Sequence, residues 1–446
     1  MNCKIDMCNG NLYKNILSFS VPLMLSNLLQ VLFNMADIAV VGRFAGALAL
    51  GAVGSTSTLI LLFTGILIGL GAGINVVTAY FLGAKKHKDA AEAMHTALLL
   101  CLIISGTVAI AALALSESIL SLMGTKSELL SGAVLYFRIY MLGLPALSLY
   151  NFGNAVLSAL GDTRRPLIFL SIAGAINIIL NLFFVLVLHM SEDGVAAASA
   201  ISQYVSAILV LLALFHGVGI LKLRLCDVKL NVDKARKILK IGIPSGFQYA
   251  IFAFANVFIQ TGVNTFDAAM VAGNAAAANA DPLIYDIMAA FYTACSSFIA
   301  QNAGAGNKKR VLRSYFVSTL YAFLTGLVLG GAALLFSQQF LSLFATDARV
   351  IIAGQKRLGV MALSYCVSAF MDATIAASRG LGKTLVPSAI VIAGSCVFRI
   401  VWLYTVFAHF RTIESLFLLY VFSWIITSIA EIAYFVFCYK KFSTDR

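Results

Sequence analysis

The chain of 446 residues is 61% hydrophobic and only 11% charged, with a formal net charge of +12. A composition this apolar excludes a soluble globular enzyme and a disordered chain. Its apolar runs match the roughly 20 residues that cross a hydrocarbon core about 30 Å thick and far exceed the ~10 of a barrel strand, so the chain reads as an all-α polytopic membrane protein.

In chain order, the stretch before Ile16 is polar, carries Lys4 and Lys14, and leads to no small-residue cleavage site, so no signal peptide is expected. Apolar runs between charged breaks then fall near 16–41, 48–80, 91–115, 131–159, 166–189, 194–216, 238–265, 269–302, 314–336, 351–378, 385–408 and 413–438, which makes twelve transmembrane helices. With a cytoplasmic N-terminus, 23 of the 31 basic residues sit on the inner side, from Lys4 to Arg446. Only four, Arg43, Lys126, Arg349 and Arg411, fall in outer loops. The positive-inside rule therefore places both termini in the cytoplasm, and makes the +12 a topology signal rather than a nucleic-acid footprint. The expected layout is a cytoplasmic N-terminus at 1–15, a six-helix lobe at 16–216, a cytoplasmic linker at 217–237, a second six-helix lobe at 238–438 and a cytoplasmic C-terminus at 439–446.

The two halves repeat. With Ile16 laid on Ile238, ILSFSVP (16–22) meets ILKIGIP (238–244), Asn34 meets Asn256, Phe44 meets Phe266 and Gly51 meets Gly273. One position away from that register, LSLMGT (120–125) meets LSLFAT (341–346) and GDTRRP (161–166) meets GKTLVP (382–387). Matches in one order at nearly one offset predict two pseudo-symmetric lobes. Six spans per lobe relate them by an axis along the membrane normal, as secondary transporters arrange a central cavity.

Motifs for other chemistries fall away. GLGKT (380–384) lacks the earlier glycine of a phosphate-binding loop, since position 377 is alanine, and its partner GDTRRP marks a repeated cytoplasmic turn. GILIGLGAG (65–73) lies inside span two and reads as close helix packing. The histidines (87, 95, 189, 216, 409) form no catalytic or metal constellation. The eight cysteines form no Cys-x-x-Cys pair and none lies in an outer loop, so neither disulfides nor a metal site is expected.

The acids inside the spans carry more meaning, because a charged Asp at a helix centre costs about 2.5–3.5 kcal/mol and such groups usually face a cavity or handle ions. They are Asp37, Asp281, Asp286, Asp372 and Glu431. Asp37 lies in the outer half of span one, where it reads either as an ion site or as a helix-end residue reaching the interface. Counting rise from the outer span ends sets Arg399 roughly level with Asp281, a candidate structural ion pair if their helices are straight, which Pro282 opposes.

These residues resemble a known family. The proline-containing first span leading into NMADIAVVGRFAG, the equivalent IGIPSGFQ opening span seven, ALGDTRRP after span four and RGLGKTLVP after span ten are similar to the multidrug and toxic compound extrusion (MATE) family. The resemblance implies a V-shaped pair of six-helix lobes exporting amphipathic, often cationic compounds in exchange for H+ or Na+. It puts Asp37 on the family's first-span carboxylate, Asn177 on a nearby helix-five asparagine, Asn154 on a polar helix-four position and Ser199 or Ser202 on a helix-six hydroxyl. Pro22 falls on the proline where the first helix bends. In NIILN (177–181), Asn181 replaces a supporting carboxylate, and span seven has Phe252 and Asn256 where another branch has a glutamate.

The reading is an ion-coupled antiporter with no cofactor beyond its coupling ion, a monomer in the cell membrane that takes small amphipathic substrates and no nucleic acid. Substrate contact is expected from Asn34, Met35, Tyr136, Tyr140, Phe152, Tyr249 and Asn256, since aromatic faces attract cations and methionine adapts to varied shapes. Asp281, Asp286, Asp372 and Arg399 are the C-terminal candidates. The alternative is a lipid-linked precursor flippase of similar fold, whose cavity would need strong basicity to hold a pyrophosphate.

Overall fold

The structure is a computed structural model that describes residues 5–217 and 222–442. Cys3, Lys4 and Arg446 lie outside the described residues. Each expected span has a helical counterpart: α1 Leu12–Val40, α2 Gly46–Gly83, α3 His87–Leu122, α5 Arg164–Val187, α6 Glu192–Phe215, α7 Val232–Val263, α8 Ala268–Gly304, α9 Lys308–Leu335, α10 Ala348–Gly380, α11 Leu385–Phe410 and α12 Ile413–Lys441. The fourth, α4, is two helices, Ser127–Leu142 and Leu144–Ala159, bent by 41°. α1 and α2 join through a π-helical turn, Val41–Ala45, in one continuous helical stretch, Leu12–Gly83. Large apolar side chains point outward along these helices, among them Leu335 (79% exposed) and Ile110 (70% exposed). A surface that apolar suits lipid, not water.

The two turns that repeat in sequence also repeat in backbone. Gly161 and Gly382 adopt φ of +80° and +72°, a conformation glycine reaches without steric cost. Gly161 also lets the N-terminal chain approach: Ile5 N–H donates to the Gly161 carbonyl at 3.1 Å, and a Cβ there would sit 2.3 Å from the Ile5 oxygen. GLGKT is thus a helix-ending turn between α10 and α11, with no strand before it.

Packing divides the chain into two compact units that do not coincide with the two sequence halves. One is Leu25–Phe247, with the N-terminal stretch ending at Ile5; the other is Asp6–Met24 with Gln248–Arg446. The N-terminal part of each half's first helix, α1 or α7, therefore packs with the opposite half. The division falls within one helical turn after Pro22 and again after Pro244.

In the first unit the cause is a glycine seam. A Cβ on Gly69 would lie 2.3 Å from the Gly246 nitrogen, and one on Gly73 would lie 2.5 Å from the Ile238 oxygen. α2 and α7 thus touch backbone to backbone, the small-residue packing that lipid-embedded helices favour. Leu59, Leu67, Leu120, Phe137, Met141 and Leu144 form a core on α2, α3 and α4 of this unit. The linker docks on α3, where Asn231 N–H donates to Thr96 Oγ1 at 3.2 Å and Lys234 pairs with Asp89.

In the second unit, Phe19 of α1 stands edge-on to Phe298 of α8 with centroids 5.5 Å apart. Arg310 of α9 grips the approach to α1, donating to the carbonyls of Met7 (2.9 Å), Asn9 (2.8 Å) and Gly10 (2.9 Å).

Candidate functional site

In the first unit, α1, α5 and α6 converge on Asp37. Gly174 makes this possible: a Cβ there would collide with the Phe33 ring, 1.9 Å away, so α1 lies close on α5. One helical turn after Phe33, Asp37 faces Asn177 and Asn181, which share a face of α5 at i, i+4. Asn181 Nδ2 donates to Asp37 Oδ1 at 2.5 Å, and Ser199 Oγ of α6 donates to Oδ2 at 3.1 Å. Asn181 Nδ2 also reaches Asn177 Oδ1 at 3.2 Å, and Asn177 Nδ2 reaches Ser199 Oγ at 3.4 Å, which closes the ring of contacts. Asn181 is wholly buried, and its own Oδ1 has no hydrogen-bond partner. Among the described residues no cation lies within ion-pair distance of Asp37. A carboxylate is held here by neutral donors alone.

Tyr136 and Tyr140 of α4 stack on each other at 6.2 Å within electrostatic reach of Asp37. Just beyond Asn181, α5 closes in a π-helical segment, Phe183–Val187, a distortion found often at functional sites.

Of the expected ion-site residues, Asp37, Asn177, Asn181 and Ser199 come together. Asn154 and Ser202 do not join their hydrogen-bond network. Asn154 Oδ1 instead accepts from Ser158 at 3.4 Å, and Ser202 Oγ turns back to the Ala198 carbonyl at 2.6 Å, a bond within its own helix. Of the expected substrate contacts, Asn34 is exposed and Met35 half-buried on α1 beside Asp37. Phe152 is wholly buried and its ring belongs to the packing of the first unit, so it offers no face to a solute. Tyr249 and Asn256 are exposed on α7 in the second unit, where Tyr420 Oη donates to Asn256 Oδ1 at 3.3 Å.

The second unit corrects one expectation. Arg399 does not pair with Asp281. Asp281 binds Arg357 of α10 at 2.5 Å and accepts from the Tyr365 hydroxyl. Equal depth holds only for straight spans, and α8 is broken at Asn279, between Ala268–Ala278 and Ala280–Gly304, just before Asp281 and Pro282. Arg357 and Tyr365 stand about two turns apart on α10 and meet the same carboxylate. Asp372 lies within electrostatic reach of the Tyr285 hydroxyl, and its Oδ2 has no hydrogen-bond partner. Glu431 is wholly buried with both oxygens unpartnered, within electrostatic reach of Asp372 and Arg379. Asp286 is half-buried on α8.

Twelve spans in two repeated halves, with a polar cluster set among apolar helices, define a membrane transporter class. The MatE family model matches residues 22–183 and again 244–405, the two matches starting at the equivalent prolines Pro22 and Pro244. The chain belongs to the MATE family of transporters. It is 33% identical over 314 residues to the "Probable multidrug resistance protein YpnP" of Bacillus subtilis, covering 69% of this chain and 68% of that one. It is 27% identical over 345 residues to an "FAD transporter" of Shewanella oneidensis, covering 75% of each. A crystal structure of MATE in complex with MaL6 superposes with a TM-score of 0.93 over 100% of both chains at 23% identity, a likeness of fold.

Proposed function

We propose that this protein is a secondary active exporter that moves amphipathic, often cationic small molecules by alternating access, in exchange for a proton taken up at Asp37. The observation that carries the reading is the lone carboxylate held by Asn181 and Ser199. A group that is charged in one state and neutral in another biases a two-state protein, provided its ion binds the two states differently. The ionised form favours a wetted site; the protonated form tolerates a dry, closed one.

The donor set supports a proton over sodium. Asn181 stands where the related pattern has a carboxylate, and it aims an N–H rather than an oxygen at Asp37. Once Asp37 is protonated it becomes a donor and needs an acceptor. Rotating the Asn181 side-chain amide would present its unpartnered Oδ1 to that proton, so one amide serves both protonation states. Relatives described as multidrug resistance proteins support small-molecule cargo, and the distribution of basic residues supports cytoplasmic termini.

The test is ethidium export from proteoliposomes under an imposed pH gradient or an imposed sodium gradient. Export that follows the pH gradient alone is expected. Export driven only by sodium would overturn the proton assignment, and no gradient-driven movement at all would overturn the exporter reading.

A further inference from the structure

The second unit holds a cation deep in its spans without a counter-ion. Arg399 lies near the middle of α11, about 21 Å from its first residue at ~1.5 Å per residue, and is only 3% exposed. It sits on a short α-helical piece, Phe398–Trp402, between two π-helical segments, Ile392–Val397 and Leu403–Phe407. Buried guanidinium groups usually pair with acids, because an unpaired charge loses its hydration and gains nothing back. Arg357 obeys this rule through Asp281. Arg399 does not. Its Nε donates to Ser423 Oγ at 3.2 Å, and its plane lies over Tyr420 at 4.3 Å and near Phe252 at 5.7 Å. Among the described residues no carboxylate comes within ion-pair distance; Asp372, with Tyr285 and Cys396, acts on it only from farther off. Asp281 is already taken by Arg357 and Tyr365.

Around this cation stands an aromatic wall on one face of α12. Phe417 stacks on Tyr420 at 6.2 Å, Tyr420 meets Trp424 at 5.6 Å, and Trp424 meets Tyr365 at 6.1 Å. The cluster is not wholly enclosed: Tyr420, Phe252 and Asp281 are half-buried and Asn256 is exposed.

From this arrangement we infer that Arg399 forms an anion-binding subsite, which receives the carboxylate or phosphate of an aromatic solute whose ring stacks against Tyr420. The guanidinium fork matches either acid bidentately, and a planar solute matches the aromatic wall. The subsite would let the exporter accept zwitterionic and acidic aromatic cargo as well as cations. Only the description of the ligand as cargo rests on the exporter reading; binding itself does not.

The chain has two tryptophans, Trp402 on α11 and Trp424 on α12, the helices that carry Arg399 and the aromatic wall, so quenching of their emission reports binding. The full chain in phosphatidylcholine nanodiscs would be titrated with flavin mononucleotide and with riboflavin, which lacks the phosphate. Flavin mononucleotide should bind roughly tenfold more tightly, the scale of one charge-assisted contact. Arg399→Gln keeps a donor for Ser423 but loses the charge, and should bring the two flavins to equal affinity; Arg399→Lys should retain part of the preference. Should the Gln variant fail to fold, loss of the wild-type preference at high salt tests the same charge.

Equal affinities in the wild type, or a preference unchanged in Arg399→Gln, would overturn the subsite. If the preference disappears when phosphatidylglycerol is added to the nanodisc, the anion is a lipid headgroup and the solute assignment falls. No ion gradient is needed, so failure of gradient-driven export would leave this result standing.

Discussion

Asp37→Asn separates an ion site from a helix-end residue. In the wild type the carboxylate accepts from Asn181 at 2.5 Å and Ser199 at 3.1 Å. Hydrogen bonds to a charged group contribute about 1.5–3 kcal/mol and neutral ones about 0.5–1.5, so the amide gives up roughly 1–1.5 kcal/mol per contact. Against that, removing an ionisable group from an apolar helix lowers insertion cost by up to about 2.5–3.5 kcal/mol. The terms nearly cancel, and the Asn181 amide can turn to pair with the new one. Expression and melting temperature should stay close to wild type.

Function should not. Swinging a two-state protein from 1:99 to 99:1 takes about 5.5 kcal/mol of differential ion affinity. An amide that binds no proton supplies none of it, so export should fall at least tenfold. The assay is ethidium efflux at matched expression across a pH series. Export at the wild-type rate with unchanged pH dependence would reduce Asp37 to an interfacial residue. The search would then move to Asp372, whose Oδ2 lacks a partner, and to Glu431, where both oxygens do, and away from Asp281, which Arg357 occupies.

Gly69→Ala should lower the melting temperature by several degrees, because its Cβ would meet Gly246 backbone at 2.3 Å, whereas Gly54→Ala, with nothing within 4 Å, should not. Equal melting of the two variants would refute the glycine seam. Arg310→Ala removes three charge-assisted bonds to the carbonyls of Met7, Asn9 and Gly10, so hydrogen exchange over residues 6–10 should speed up at least tenfold, with Lys restoring only part of the protection. Unchanged exchange would mean that Arg310 does not hold that segment. Cys226 is exposed in the linker, so in a Cys3→Ser, Cys8→Ser background an impermeant maleimide should label it in inverted vesicles and not in intact cells. Labelling of intact cells would reverse the orientation.

The number of spans, their approximate ends and the internal repeat follow from the sequence alone. Transfer of a side chain into lipid is a local cost that sums along the chain, so runs of apolar residues report spans without knowledge of any neighbour. The same reasoning singled out Asp37, because a carboxylate in such a run is costly wherever the helix points. Asn177 and Asn181 were reached only through the family resemblance.

Which side chains meet was decided by the tertiary structure. Depth counted along straight helices joined Arg399 to Asp281, and the break at Asn279 gave Asp281 to Arg357 instead. Hydropathy has no term for the inward rotation that buried Phe152 or for the turn of Ser202 back onto its own helix. The exchange of half-helices between the packing units was equally hidden, since it depends on Gly69 and Gly73 matching Gly246 and Ile238 on a helix far along the chain. Burial is a property of one residue in its solvent. Pairing is a property of two helices, set by their rotation, breaks and closest approach, and none of these is written in local composition.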